Sequence, residues 1–107
     1  PIIFGDGTQT RDFIYVDDAI TGILNSSESS YQGVVNIGSG ISTSFNQIIE
    51  KIGIQTGKNI SPKYVKKELS YVENLEADTT LMNSILNINP ISIDSGIKKF
   101  AEYLKII

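Results

Sequence analysis

The sequence predicts a small mixed α/β unit of about four helices with short strands. Three observations carry that expectation. Short runs rich in β-branched and aromatic residues alternate with longer stretches whose apolar residues recur every three or four positions. Glycines at Gly5 and Gly7, and at Gly38 and Gly40, punctuate those runs as turns. Ser44 and Gln47 have the spacing of a capping box, which marks a helix start.

Ile2 to Phe4 is a short apolar strand, closed by the permissive backbone of Gly5-Asp6-Gly7. Asp12 to Val16 alternates weakly and is predicted as a second strand. Asp17 is the expected N-cap of a helix from Asp18 to about Asn25, with Ile20, Ile23 and Leu24 on one face. Ser26 to Gln32 is a polar loop. Val34 to Ile37 is a buried-type strand, and with the helix before it suggests a parallel crossover starting at Asp12.

Phe45, Ile48, Ile49 and Ile52 form one stripe of the helix that Ser44 opens, and Gly53 and Gly57 end or fray it. Pro62 to Val65 is extended, with the proline confining it to an edge or a strand start. Lys66 to Glu76 is irregular. Asp78 caps a short helix bearing Leu81, Met82, Ile85 and Leu86. After Pro90, Ser92 or Asp94 starts a last helix whose face is Ile97, Phe100, Ala101 and Leu104. Two or three strands cover little core, so the unit is expected to dock on a larger sheet.

Composition narrows the chemistry. The 107 residues suit one domain, read as residues 1–107. No cysteine is present, so disulfides and thiolate metal sites are excluded, and a reducing, cytoplasmic setting is expected. The absence of histidine removes the commonest general base and rules out a Ser-His-Asp triad. A net charge of −3 argues against nucleic acid as a partner. No apolar run is long enough to span a membrane. The chain opens at Pro1 directly into a strand-like run, and is expected to be a fragment of a longer protein.

Arg11 is the single arginine among nine fixed cations. Its planar fork can hold a phosphate through two hydrogen bonds, which a lysine cannot. Spacing alone leaves a second reading open, a surface arginine paired with Asp6, Asp12 or Asp17. Asp17 and Asp18 read as helix-start acids rather than a catalytic pair. Gly38-Ser39-Gly40 lacks the spacing of a dinucleotide or P-loop fingerprint and reads as a turn feeding the next helix. Lys63, Lys66 and Lys67 form a small basic patch that is either a solvated face or a phosphate contact.

The block Gly5-Asp6-Gly7-Thr8-Gln9-Thr10-Arg11-Asp12-Phe13-Ile14-Tyr15-Val16-Asp17-Asp18 closely resembles a motif of nucleotide-sugar epimerases and dehydratases, the extended short-chain dehydrogenase/reductase family. Gly33 to Gly40, Ser44 to Ile52, Ala77-Asp78 with the helix after it, and Asp94 to Leu104 resemble later segments of that family in the same order. The resemblance implies the C-terminal, substrate-binding part of such an enzyme, packed on an N-terminal Rossmann half. In the family that half holds NAD and the catalytic Tyr-x-x-x-Lys. Neither the glycine fingerprint nor that tyrosine–lysine pair occurs here. No cofactor is therefore expected on this piece, NAD is expected on the full-length parent, and the isolated chain should not turn over.

The resemblance also assigns a binding set for a nucleoside-diphosphate sugar: Ile2 and Phe4 at the nucleotide base, Arg11 at the diphosphate. Many family members carry Arg-x-Gly-Asp before the Ala-Asp helix, whereas this chain reads Lys66-Lys67-Glu68-Leu69-Ser70-Tyr71-Val72. Lys67 or Lys66 would supply a point charge there, and Tyr71 a sugar or ribose contact. The implied chemistry is transient oxidation of a sugar hydroxyl and return of the hydride. A free-standing sugar-nucleotide binding module or an interaction module is the alternative. With part of its cover lying outside the chain, a homodimer or strand swap is expected.

Overall fold

Eight elements follow one another through residues 1–107 of the computed structural model: β1 (Ile2–Phe4), β2 (Thr10–Asp12), α1 (Val16–Glu28), β3 (Ser42–Ser44), α2 (Phe45–Thr56), β4 (Lys63–Val65), α3 (Thr80–Leu86) and α4 (Ile93–Tyr103). This is the small mixed α/β unit that the sequence predicts. The strands form two separate pairs. β1 lies parallel to β4, with Ile3 opposite Tyr64. β2 lies antiparallel to β3, with Arg11 opposite Thr43. The 73–75 segment joins β2 on its other side: the Thr10 N–H donates to the Glu73 carbonyl at 2.8 Å and the Leu75 N–H to the Thr10 carbonyl at 3.2 Å.

The helix starts follow local chemistry. Ser44 caps α2 through the full capping box, its side chain accepting from the Gln47 N–H while Gln47 accepts from the Ser44 N–H. Ser92, of the two candidates, caps α4 by accepting from the Ser95 N–H at 3.2 Å. Before α3 the Asp78 carboxylate accepts from the Thr80 N–H at 3.0 Å, although Thr79 is the residue at the cap position. α3 ends in a left-handed Asn87, and the Asn25 side chain of α1 donates to the Leu86 carbonyl there.

Five expectations are corrected. The second strand is Thr10–Asp12, three residues long, and not Asp12–Val16. Its partner β3 is equally short, so Phe13 to Tyr15 leave the ladder. α1 begins at Val16 on an extended Tyr15, so Asp17 is inside the first turn and is not the cap. The helix continues to Glu28, taking in the start of the expected loop. Val34 to Ile37 is extended-type sequence but forms no strand, because no strand of this chain runs beside it. The parallel crossover from Asp12 to Ile37 is therefore absent, and β2 pairs with β3 instead.

Met82, Leu86 and Ile88 make the main core, packed against Val35, Ile37 and Ile85. The buried Gly22 lets α1 approach it closely; a Cβ there would meet Ile37 Cδ1 at 2.8 Å. α2 and α4 pack together at the other end, joined by the Lys51–Asp94 ion pair at 2.7 Å. The result is a plate measuring 47 × 37 × 16 Å. Its radius of gyration of 15.9 Å exceeds the roughly 13 Å expected for a compact domain of this length. Its surface of 7360 Å² exceeds the roughly 5,900 Å² expected for its mass. Much of the excess is apolar: Ile20, Ile23 and Leu24 of α1 are 48%, 64% and 60% exposed.

Candidate functional site

The Gly5-Asp6-Gly7 turn carries the chain from β1 to β2. Gly5 and Gly7 have φ of 86° and 81°, a region that side chains disfavour. A Cβ on Gly7 would also collide with the Asn46 side-chain amide. That amide donates to the Asp6 carbonyl at 3.0 Å, and its oxygen accepts from the Tyr64 hydroxyl at 2.8 Å. Gln9 is 1% exposed, and its amide donates to the Phe4 carbonyl. The turn is thus fastened from both sides, and Arg11 follows it on a fixed strand.

Arg11 has no carboxylate partner. The two ion pairs of the chain are Lys51–Asp94 and Lys67–Glu73. Its Nη1 donates to the Thr10 carbonyl at 2.7 Å. The guanidinium carbon lies 5.7 Å from the Phe45 ring centre and 5.3 Å from that of Tyr71. Two aromatic rings therefore flank a half-buried cation and leave other N–H groups of its fork without a protein acceptor. The pairing with Asp6, Asp12 or Asp17, one of the two readings from spacing, is not formed.

Asp12 points elsewhere. Its carboxylate accepts from the Ser39 N–H at 2.8 Å, the Ser39 hydroxyl at 2.6 Å, the Gly40 N–H at 2.8 Å and the Ala77 N–H at 3.1 Å. Burial pushes this carboxyl up, but the hydrogen bonds from Ser39, Ala77 and Gly40 together outweigh it and hold it below the usual aspartate value. The Gly38-Ser39-Gly40 turn is filled by this carboxylate. Its free N–H groups serve Asp12, so it is not a phosphate loop.

The structure brings some of the predicted residues together. Arg11 and Tyr71 are in contact. Lys67 runs past Gly5 and pairs with Glu73, whose carbonyl holds Thr10. Lys67 is thus near the turn, but its charge is already partnered. Ile2 and Phe4 sit on either side of the buried Ile3 and are 63% and 49% exposed. They present an open apolar edge beside the turn. Lys66 is exposed. A larger cleft, of about 390 Å³, is lined by Asp12, Ile37, Gly38 and Leu75 among others, and one of about 280 Å³ by Phe13, Tyr15, Val16, Ile93 and Phe100 among others. Two participants escape the sequence reading: Phe45, which the helical stripe assigns to core, and Asp12, which is read there only as a strand start and a candidate partner for Arg11.

Residues 1–38 match the NAD dependent epimerase/dehydratase family. The chain is 37% identical over 105 residues to a UDP-glucuronate 4-epimerase of Thermodesulfobacterium geofontis, covering 96% of this chain and 32% of that protein. It is 34% identical to a putative UDP-glucose 4-epimerase of Methanocaldococcus jannaschii, covering 98% and 34%. Among solved structures, the UDP-glucose 4-epimerase of Thermotoga maritima with UDP-glucose superposes with a TM-score of 0.89 at 33% identity, over 97% of this chain and 34% of that one. The UDP-glucuronic acid 4-epimerase of Bacillus cereus with UDP-glucuronic acid and NAD gives 0.86 at 32% identity, over 97% and 34%. The chain spans about a third of the length of these relatives.

Proposed function

The chain belongs to the NAD-dependent epimerase/dehydratase family by sequence and by fold, and from that premise we propose that it is the part that binds a nucleoside-diphosphate sugar in an NAD-dependent epimerase or dehydratase. The observation that carries the proposal is Arg11. Its guanidinium is flanked by Phe45 and Tyr71, lacks any carboxylate, and stands on the strand just after a rigid two-glycine turn.

In this reading the Arg11 fork takes the diphosphate with charge-assisted hydrogen bonds. Ile2 and Phe4 supply apolar surface for the base. The Tyr71 hydroxyl reaches a sugar or ribose oxygen. Lys67 adds positive charge at the rim once its bond to Glu73 loosens. The chain's contribution is binding and orientation, which convert remote binding energy into alignment of the reacting sugar.

The residues present do not fit NAD. The glycine fingerprint and the Tyr-x-x-x-Lys pair are missing, and the Gly38-Ser39-Gly40 turn is occupied by Asp12. No redox step is assigned to this chain. The exposed Ile20, Ile23 and Leu24 face of α1 and the unpaired Val34 to Ile37 segment are read as the surface that meets a cofactor-binding Rossmann half or a second copy.

The test is calorimetric titration of UDP-glucose, UDP-glucuronate and NAD into the protein and its Arg11→Lys variant. The expected loss is about 1–2 kcal/mol for the sugar nucleotides, with NAD unchanged, because a bidentate contact becomes a single one. Equal sugar-nucleotide affinities before and after the change remove the diphosphate role.

A further inference from the structure

We propose that Phe45 is a positioning residue for the Arg11 guanidinium, acting on sugar-nucleotide affinity through the arginine and not by touching the ligand; this rests on the diphosphate role proposed above. The warrant is the geometry of the β2–β3 ribbon. Arg11 faces Thr43, so Phe45 stands two residues further along the neighbouring strand direction, the diagonal position from which long side chains meet. The Phe45 N–H donates to the Gln9 carbonyl at 3.3 Å, and its ring meets Phe13 edge-on at 6.2 Å between centres. The ring is therefore held by backbone and by a neighbouring aromatic, at the first turn of a helix fixed by a capping box.

Arginine is long, and an unpaired one on a surface samples many rotamers. Here no carboxylate restrains it. Its own Nη1 bond to the Thr10 carbonyl fixes one edge of the fork, and the rings of Phe45 and Tyr71 lie within cation–π reach. Of the two rings, Tyr71 carries a hydroxyl suited to a ligand contact and sits on the irregular 66–76 segment. Phe45 has no polar atom to offer. What its ring offers is a negative face for a cation that must not be neutralised, because a carboxylate in its place would compete with the diphosphate.

The experiment is a double-mutant cycle on UDP-glucose affinity with Arg11→Lys, Phe45→Leu and the pair, together with Phe45→Tyr. Phe45→Leu is expected to raise Kd about fivefold, Phe45→Tyr to stay near the wild type, and the double variant to bind no worse than Arg11→Lys alone. The Arg11 Nε–Hε resonance, assigned by its loss in Arg11→Lys, should move in Phe45→Leu as the ring current is removed and hold in Phe45→Tyr. If Arg11→Lys leaves affinity unchanged, the diphosphate reading falls and this inference with it. If Arg11→Lys weakens binding but Phe45→Leu does not, or the two losses multiply in the double variant, only the positioning role is overturned. An unmoved Arg11 resonance in Phe45→Leu overturns it as well, independently of any ligand.

Discussion

Replacing Asp12 with alanine should cost the protein about 3 kcal/mol. Its carboxylate accepts from three backbone N–H groups, those of Ser39, Gly40 and Ala77, and from the Ser39 hydroxyl. These groups lie on segments separated by more than twenty residues of sequence, so no local rearrangement replaces the acceptor. Each half-buried N–H left without a partner costs roughly 1 kcal/mol when water reaches it in part, the low end of the range for a fully buried donor. For a domain of this size, that total lowers Tm by roughly 12–24 °C. Asp12→Asn keeps an oxygen on one side but turns an NH2 group toward the donors on the other, and should fall in between. The same carboxyl gives a pH signature. Its folded value is depressed, so the stability it contributes is fully present above the ordinary value of 3.8 and is lost as pH falls through the lower folded value. The assay is thermal denaturation followed by far-UV circular dichroism from pH 7 to pH 2.5, on wild type and both variants. A Tm for Asp12→Ala within two or three degrees of wild type, or an acid limb unchanged in Asp12→Asn, refutes the claim that this carboxylate ties the three segments together.

Three further outcomes are expected. Ser44→Ala removes one half of the capping box of α2 and should destabilise by about 1 kcal/mol in the same denaturation series, with Ser44→Gly nearer to wild type than to alanine. Gly22→Ala should destabilise despite its better helix propensity, because the added methyl would stand 2.8 Å from Ile37 Cδ1; greater stability would show that α1 has room to shift. Light scattering of the 107-residue chain across a concentration series should give a mass that rises above the monomer, since Ile20, Ile23 and Leu24 are exposed; Ile23→Lys should reduce that rise, and a constant monomer mass would mean this face associates with nothing.

Helix positions were largely legible because their signals are local. The Ser44–Gln47 box, the stripes of α2 and α4 and the Met82–Leu86 pair each need only a few neighbouring residues to be recognised. The strands were legible only where partners confirm them. Val34 to Ile37 has strand composition but no neighbour, so propensity produced no ladder. Ser42–Ser44 has no apolar alternation and became β3 because β2 lies beside it. Phe13 to Tyr15 are strong β formers that leave the sheet as Asp12 reaches into the 38–40 turn. At the candidate site, Arg11 stood out as the one arginine, and its contact with Tyr71 joins two predicted residues. Phe45 was hidden by its own periodicity: it continues the α2 stripe, and its second contact is visible only when β2 is laid against β3.

The pairing of β1 with β4 has a consequence for the order in which the chain assembles. It joins residues 2–4 to residues 63–65, enclosing about sixty residues for three paired positions. Loop-closure entropy opposes such a contact until the intervening chain has already shortened the distance. The β2–β3 ribbon and the capped α2 close smaller loops, so they are expected to form first, and the clasp at the chain's beginning last. Residues just beyond β4 carry Lys67 and Tyr71. The far wall of the arginine site is thus late to assemble and early to open, while the strand bearing Arg11 is already in place. A ligand that touches both sides would act as a brace across the clasp, and its presence would slow unfolding more than it speeds folding.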